Sequence, residues 1–494
     1  MPWSSTPCCT TATCTQVSRL RRTRRTTDLP LTPSPELRPL EPAPGPSAGD
    51  RPTWWRRHLH RIFAFIARTY YQVRLAGGEV PGEGPVLLVS NHPNSLMDAP
   101  LLALAAGRPV RFLAGAHLFR RRSIAWAVRG SGAIPVFRRS EEPGEMGRNT
   151  GSFTAVRDAL VAGSAVGVFP EGFTHSEPAL APLKTGAARI ALLTAAATGG
   201  TLPILPVGIT FRGGKERFRS EALVLVGKPV RWADLAADPG RPEHVRELTQ
   251  RIESALGRVT VNLADWEDLP LVEVAEAVHE VEFGQGKTRT RSQGNPVRWL
   301  ARMRRTAQAL EQARERGDPK VAALHRDLGA HARVLAALGL TPRDLHARPR
   351  SSVAVRWALG NLFFFGVALP LALLGTLVFW LPWTLVQRAE PRFRLTPDRR
   401  ATYRVLAGSV ACGVWVMLLA ALTMEFRGWR PAMALLIILP LTGFLTLRIR
   451  TRWRTAVADL RRFLFLRARH DVRSGLLAAQ RELAVSIREL QNRI

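Results

Sequence analysis

The sequence predicts an α/β domain, a largely parallel sheet flanked by helices, with an N-terminal amphipathic helix before it and a C-terminal helical membrane region after it. Three observations carry this. Short apolar runs alternate with helical patterns between residues 79 and 262. A basic, tryptophan-led helical pattern precedes them, and long uncharged runs occur only after residue 350. Strand and helix signals in alternation point to βαβ units, and long uncharged runs point to a bilayer.

Residues 1–50 are rich in Ser, Thr and Pro with a basic cluster at Arg19–Arg25, and read as a disordered tail. From Trp54 to Val73, aromatic and aliphatic residues interleave with Arg56, Arg57, Arg61 and Arg68. Such a helix suits a membrane surface, or packing on the domain behind it, and the two are compatible; the segment is assigned 51–78. The domain at 79–262 has strand candidates at Val86–Ser90, Val110–Leu113, Ile134–Phe137, Ala165–Phe169, Ile204–Phe211 and Ala222–Val226. Helical patterns fall at Leu96–Ala106, Ile124–Arg129, Phe153–Val161, Thr185–Ala197 and His244–Leu256. Residues 263–350 read as a helical linker region. Gly284–Thr288 superficially suggests a nucleotide loop, but Val281 stands where its first glycine belongs and no apolar strand precedes it. Membrane-embedded helices are assigned to 351–450 and a cytoplasmic amphipathic helix to 451–494.

The net charge of +31 comes almost wholly from arginine, with lysine only at 184, 215, 228, 287 and 320. So basic a surface suits nucleic acid or anionic lipid. Zinc-finger spacing, basic-region heptads and an RNA-binding aromatic signature are all missing. Arginines beside apolar spans favour anionic membrane lipids, so no nucleic-acid partner is expected. Cysteines stand only at 8, 9, 14 and 412, which fits neither a disulfide framework nor a zinc site. Chemistry between residues 60 and 260 must therefore use oxygen or nitrogen.

Three loops follow strand candidates at the end where parallel sheets bind ligands. They are Asn91–Asp98, then Arg138 and Arg139, then Pro170-Glu-Gly172 with His175 and Lys184 beyond. His92 can take a proton from a hydroxyl, and Asp98 can hold its tautomer and stabilise the imidazolium. Six residues apart on one helix, the two would be about 120° out of phase. The pair works only if His92 precedes the helix and Asp98 lies in its first turn, near Pro100. On the spacing alone a plainer reading stays open: Asp98 caps the helix through Ser95-x-x-Asp98, and His92 is a turn residue. Ser95 as a nucleophile has no Gly-x-Ser-x-Gly elbow to support it.

Asn91-His92…Asp98, Gly132-x5-Arg138, Phe169-Pro-Glu-Gly172 and Ile204-Leu-Pro-Val207, in that order, resemble the four motifs of the glycerophospholipid acyltransferases. That family includes the glycerol-3-phosphate and 1-acylglycerol-3-phosphate acyltransferases. The resemblance covers about residues 60–260, with Gly227-Lys-Pro229 similar to the family's closing strand. Five residues between His92 and Asp98, where four are usual, and Phe173-Thr-His175 after Glu-Gly, look like the fungal-type glycerol-3-phosphate/dihydroxyacetone-phosphate branch. The departures bear on the acceptor more than on the reaction.

The resemblance implies a membrane-bound O-acyltransferase of phospholipid synthesis, with His92 the base and Asp98 its orienter. Arg138 and Lys184 would bind the acceptor phosphate, Glu171 and Gly172 would shape that pocket, and Pro206 would line the acyl-donor side. No metal and no cofactor is implied, only an acyl thioester (acyl-CoA or acyl carrier protein) as co-substrate and a glycerol-phosphate or lysolipid acceptor. His175 is a candidate second base, with a solvated loop histidine as the plainer alternative. Rival functions are acylation of another lysolipid and a non-catalytic, membrane-anchored binder of anionic lipid.

Three uncharged runs follow, Trp357–Val386, Val405–Met424 and Pro431–Leu447. The second makes a helix of about 30 Å, enough to span, and pairs with the third as a hairpin through Glu425–Arg430. Arginines at 388–404 and 448–454 place both flanks in the cytoplasm of a bacterial inner membrane. The first run, interrupted by Gly366, Pro370, Gly375 and Pro382, is expected to be a re-entrant or interfacial hairpin, with a tilted single span as the alternative.

Overall fold

The structure, a computed structural model of the chain, describes residues 54–120, 122–138, 143–283, 296–317, 319–346 and 351–492. The tail at 1–50, Arg139 and the Gly284–Thr288 segment lie outside the described residues.

Helix α1 (Trp54–Tyr70) leads into strand β1 (Gln72–Gly77) and β2 (Val86–Ser90). There follow α2 (Asp98–Ala106), β3 (Val110–Gly115), α3 (Ala116–Arg120), α4 (Arg122–Gly130), β4 (Ile134–Val136), α5 (Asn149–Val161) and β5 (Ala165–Val168). The domain continues with α6 (Gly186–Thr198), β6 (Ile204–Arg212), β7 (Glu221–Val226) and α7 (Pro242–Gly257). The strands form one sheet in the order β1-β7-β6-β2-β5-β3-β4. All neighbours pair in parallel except β6 with β7, which are antiparallel.

Val86 to Val89 are completely buried, as expected of a central parallel strand covered on both faces. One helical layer brings Leu101 and Leu102 of α2 and Ala67 and Tyr70 of α1 against the sheet. The other brings Val156 and Leu160 of α5, Ile190 of α6 and Leu248 of α7. The two compatible readings of α1 meet in its residues. Leu59, Ala67 and Tyr70 are buried, whereas Trp54, Ile62 and Phe65 face outward, and the Phe65 ring lies 5.7 Å from that of Phe444 in the C-terminal region.

Four boundaries differ from the expected ones. Residues 72–77, placed with the surface helix ending at 78, form β1 and pair with β7 across its full length. The region 263–350 is more than a linker. It holds α8 (Asp268–Phe283), α9 (Pro296–Glu315) and α10 (Pro319–Leu338), and Val272, Trp299, Leu300 and Met303 join the core of the sheet domain. The boundary at 450/451 falls inside one helix, Trp429–Ala468, which runs on beyond the last hydrophobic run through Arg448, Arg450, Arg452 and Arg454.

The fourth difference is the largest. Residues 357–386 do not turn back as a hairpin but lie within one continuous helix, α11 (Ser351–Ala389), with Pro370 and Pro382 inside it. Proline removes one backbone bond and kinks a helix. In apolar surroundings, opening the chain would leave many more polar groups unpaired, so the helix persists. Helices α12 (Pro397–Arg427) and α13 (Trp429–Ala468) follow, joined by Gly428 alone, and α14 (His470–Asn492) closes the described chain. Helices α11, α12 and α13 are long and apolar enough to cross a membrane. Leu362, Phe363, Leu377 and Ile437 are each more than 70% exposed, an outward apolar display that water would not favour.

Candidate active site

The loop after β2 is built before its chemistry is. Asn91 turns its side-chain amide on β6, accepting from Ile209 N–H at 2.8 Å and donating to Ile209 O at 2.9 Å. Ser95 takes a left-handed backbone with φ of 51°, a strain that tends to collect at functional sites. A single 3₁₀ turn, Ser95–Met97, then feeds α2, which begins at Asp98. His92 thus precedes the helix and Asp98 opens it, as the phase argument requires.

His92 Nδ1 lies 2.8 Å from Asp98 Oδ2. The carboxylate accepts, so the ring's proton sits on Nδ1 and the Nε2 lone pair is left without a hydrogen bond among the described residues. The same Oδ2 accepts the Asn94 N–H at 2.7 Å. Asp98 therefore fixes the ring and pins the loop through the Asn94 amide, and the Ser95-x-x-Asp98 cap does not form, since α2 has no side-chain cap bond. Its side chain is fully buried. Burial pushes its pKa up, against the pull of the His92 ring, the Asn94 amide and Lys215. The His92 ring stacks on Phe169, centroids 4.1 Å apart and planes 12° apart, with Phe112 parallel beyond it. Orientation is set from the side and from below.

The loop after β5 supplies the second pair. Glu171 is buried, and its Oε1 accepts the His92 backbone N–H at 3.0 Å. Its Oε2 meets His175 Nε2. His175 Nδ1 accepts the Glu177 N–H at 3.1 Å, so both of its ring nitrogens are occupied. His175 is neither a solvated loop histidine, its side chain being only 10% exposed, nor a ring with a free nitrogen to act as base. Burial lowers its pKa, helped by Lys215. Burial raises that of Glu171 to about 7, against the His92 and Ala181 amides.

The acceptor-side residues fall apart more than expected. Gly172 has φ of +79°, and a side chain there would meet the Lys184 stem at 3.3 Å. Lys184 is exposed, and its backbone N–H donates to Pro170 O at 2.7 Å, closing the loop beside Glu171. Arg138, half-buried, follows β4 at the sheet edge. Asn149 fixes that strand end by accepting from Phe137 N–H and donating to Phe137 O. The order β2-β5-β3-β4 separates the His92 and Arg138 strands by three steps, or about 14 Å at the usual spacing. Glu171, read as a wall of the phosphate pocket, spends both oxygens inside the protein. Pro206 is buried beside Val89 in β6, and a side chain at Gly227 would strike its ring at 2.8 Å. It packs inside the sheet instead of facing a donor.

Sequence reasoning missed Lys215. Its ammonium donates to Pro93 O at 2.6 Å, Ser176 Oγ at 2.9 Å and His175 O at 3.3 Å. Its carbonyl accepts from Tyr71 OH and Asn94 Nδ2. Tyr71, completely buried, has its phenol pKa pushed up by burial. A groove of about 630 Å³ between α10 and α14 touches none of these residues.

The family described as Acyltransferase matches residues 72–210. Glycerol-3-phosphate O-acyltransferase 2 of Saccharomyces cerevisiae is 32% identical over 27% of this chain and 18% of its own length. Glycerol-3-phosphate O-acyltransferase 1 of the same yeast is 28% identical over 53% of this chain and 34% of its own length. The 1-acyl-sn-glycerol-3-phosphate acyltransferase BAT2, chloroplastic, of Brassica napus is 27% identical over 38% of this chain and 55% of its own length. The chain thus spans only 18% and 34% of the lengths of the two yeast relatives. The four motifs quoted from the sequence all fall within residues 72–210, the span that matches the acyltransferase family model.

Proposed function

We propose that the chain moves a fatty acyl group from an acyl thioester to a hydroxyl of glycerol-3-phosphate at a membrane surface. The observation that carries this is the His92–Asp98 pair, bonded at 2.8 Å with His92 Nε2 left available. The hydroxyl gives its proton to Nε2 as its oxygen bonds to the thioester carbonyl carbon. The carbon–sulfur bond then breaks, and the proton passes from imidazolium to the departing thiolate. Asp98 stabilises the imidazolium in between. Arg138 offers a fork and Lys184 a point charge to the acceptor phosphate. No covalent enzyme intermediate, metal or cofactor enters.

Glycerol-3-phosphate is favoured because it stands in the names of the two yeast relatives. The plant relative supports 1-acylglycerol-3-phosphate as the second reading. Purified membranes carrying the chain, supplied with acyl-CoA or acyl carrier protein, should acylate glycerol phosphate faster than dihydroxyacetone phosphate or lysophosphatidate. Transfer to none of the three overturns the proposal.

The domain faces the cytoplasm in this reading, with α11 lying along the interface without crossing, α12 and the front of α13 as the spanning hairpin, and anionic lipid at the arginine flanks. In sealed cells, with the native cysteines replaced, a cysteine at Gly428 should label from outside and one at Gly200 should not. The reverse pattern sinks this topology.

A further inference from the structure

The start of α12 does not stop at the membrane. Ala401 is completely buried in the core beneath α2, and Val405 packs beside it. Arg404 forks onto Glu390 at 2.8 and 2.9 Å and donates to Glu216 O at 2.7 Å. That carbonyl also accepts from Tyr70 OH. The helix is therefore docked on Lys215-Glu216, the tip of the β6–β7 connection. Six residues before Arg404 stands Asp398, only 6% exposed, with Arg399 at 3.9 Å and Lys215 beyond ion-pair distance.

Lys215 cannot be a substrate ligand while it holds its present partners. An ammonium has three protons, and these meet Pro93 O, Ser176 Oγ and His175 O. Pro93 adjoins His92, and Ser176 adjoins His175. The ammonium thus clips the loop after β2 to the loop after β5. Burial lowers its pKa, and Asp398 is the strongest of the charges that oppose this, ahead of Asp98 and Glu216.

We propose that Lys215 and Asp398 are a positioning pair that makes the membrane helix α12 part of the active site, holding the His92 loop in register with the Glu171–Ser176 loop. Arg404 seats α12 on the Glu216 carbonyl, Asp398 brings a counter-charge to the buried ammonium from beyond ion-pair distance, and Lys215 converts that placement into the position of His92. Catalytic geometry then depends on α12 being seated. The proposal rests on the acyl-transfer reading for its kinetic test, and a second readout stands without it.

Full-length chain in nanodiscs is compared with Lys215→Met, Asp398→Asn and the double variant. Lys215→Met should lower kcat about 10- to 100-fold, the scale of a lost charged hydrogen bond, with both KM values held within about threefold. Asp398→Asn should act in the same direction and less, and the double variant should be no worse than Lys215→Met, the non-additivity of one network. Additive losses, or a raised acceptor KM at unchanged kcat, overturn the proposal. Hydrogen exchange is followed in parallel over residues 91–97. Both single variants should exchange faster there while β2 and β5 stay protected, and unchanged exchange overturns the proposal whether or not the wild type transfers acyl groups. A wild type that transfers none, with exchange altered as expected, removes the proposed function and leaves the positioning pair standing.

Discussion

Adjacent strands β2 and β5 each end in a loop that couples a histidine to a buried carboxylate, and the couples differ in one nitrogen. His92 gives Nδ1–H to Asp98 and keeps Nε2 free. His175 gives Nε2–H to Glu171 and fills Nδ1 with the Glu177 amide. A neutral imidazole has one donor and one acceptor site. The first ring has its acceptor to spare and can serve as a base. The second has none and serves as a strut. Residue type and a carboxylate partner do not distinguish base from brace; the occupancy of the other nitrogen does. Glu171 also joins the loops, since one oxygen holds the His92 backbone and the other the His175 ring.

The largest test of the contrast is on the free ring. His92→Ala and Asp98→Asn should each lower acyl transfer at least about 100-fold, the scale of general-base catalysis, with the fold retained by circular dichroism. Either variant keeping more than about a tenth of wild-type turnover would remove the base assignment. Arg138→Ala and Lys184→Ala should come next. Each should raise the acceptor KM by roughly 10- to 100-fold, as expected for 1.5–3 kcal/mol from a charged hydrogen bond, with the donor KM little changed. A larger effect on the donor would move the phosphate site away from the β4 and β5 loops.

The free ring could be foreseen from the sequence, but its surroundings could not. The spacing of His92, Pro93, Asp98 and Pro100 sets the phase condition that α2 meets by starting at Asp98. Six of the seven strands show as apolar runs because both faces of a central sheet are covered. β1 does not, since Gln72, Leu75 and Gly77 of this edge strand are solvent-exposed and it follows α1 with one residue between. Lys215 was invisible because its partner Pro93 is 122 positions away, and nothing in Gly213-Gly214-Lys215 marks a buried ammonium. Glu171 was legible as a motif but not as an internal bridge, because its two partners lie on different loops. The prolines of α11 misled by reading as breaks where an apolar helix tolerates them.

His175→Gln should cost less than about tenfold in kcat, since a strut acts only through the base it supports. A loss as large as that of His92→Ala would end the contrast and make His175 a second base.

The smallest effect is a pH dependence, and it isolates the carboxylate between the loops. Burial raises the Glu171 pKa from 4.5 to about 7, with the His92 and Ala181 amides pulling the other way. A carboxyl whose pKa is raised on folding takes up a proton as the chain folds. Its contribution to stability is complete below about pH 4.5 and is lost as pH rises through about 7. Glu171→Gln removes this titration and keeps an oxygen to accept the His92 N–H, though its amide protons face the His175 Nε2–H unfavourably. The variant should therefore be less stable than wild type near pH 5 and close the gap as pH approaches about 7.5, in thermal unfolding of the nanodisc-embedded chain. Turnover should stay within about tenfold of wild type, as for His175→Gln, since neither change touches Nε2 of His92. A stability gap that is constant from about pH 5 to 7.5 would place the Glu171 titration elsewhere. The bridge between the two histidine loops would then be a fixed anion, coupled to neither ring by its proton.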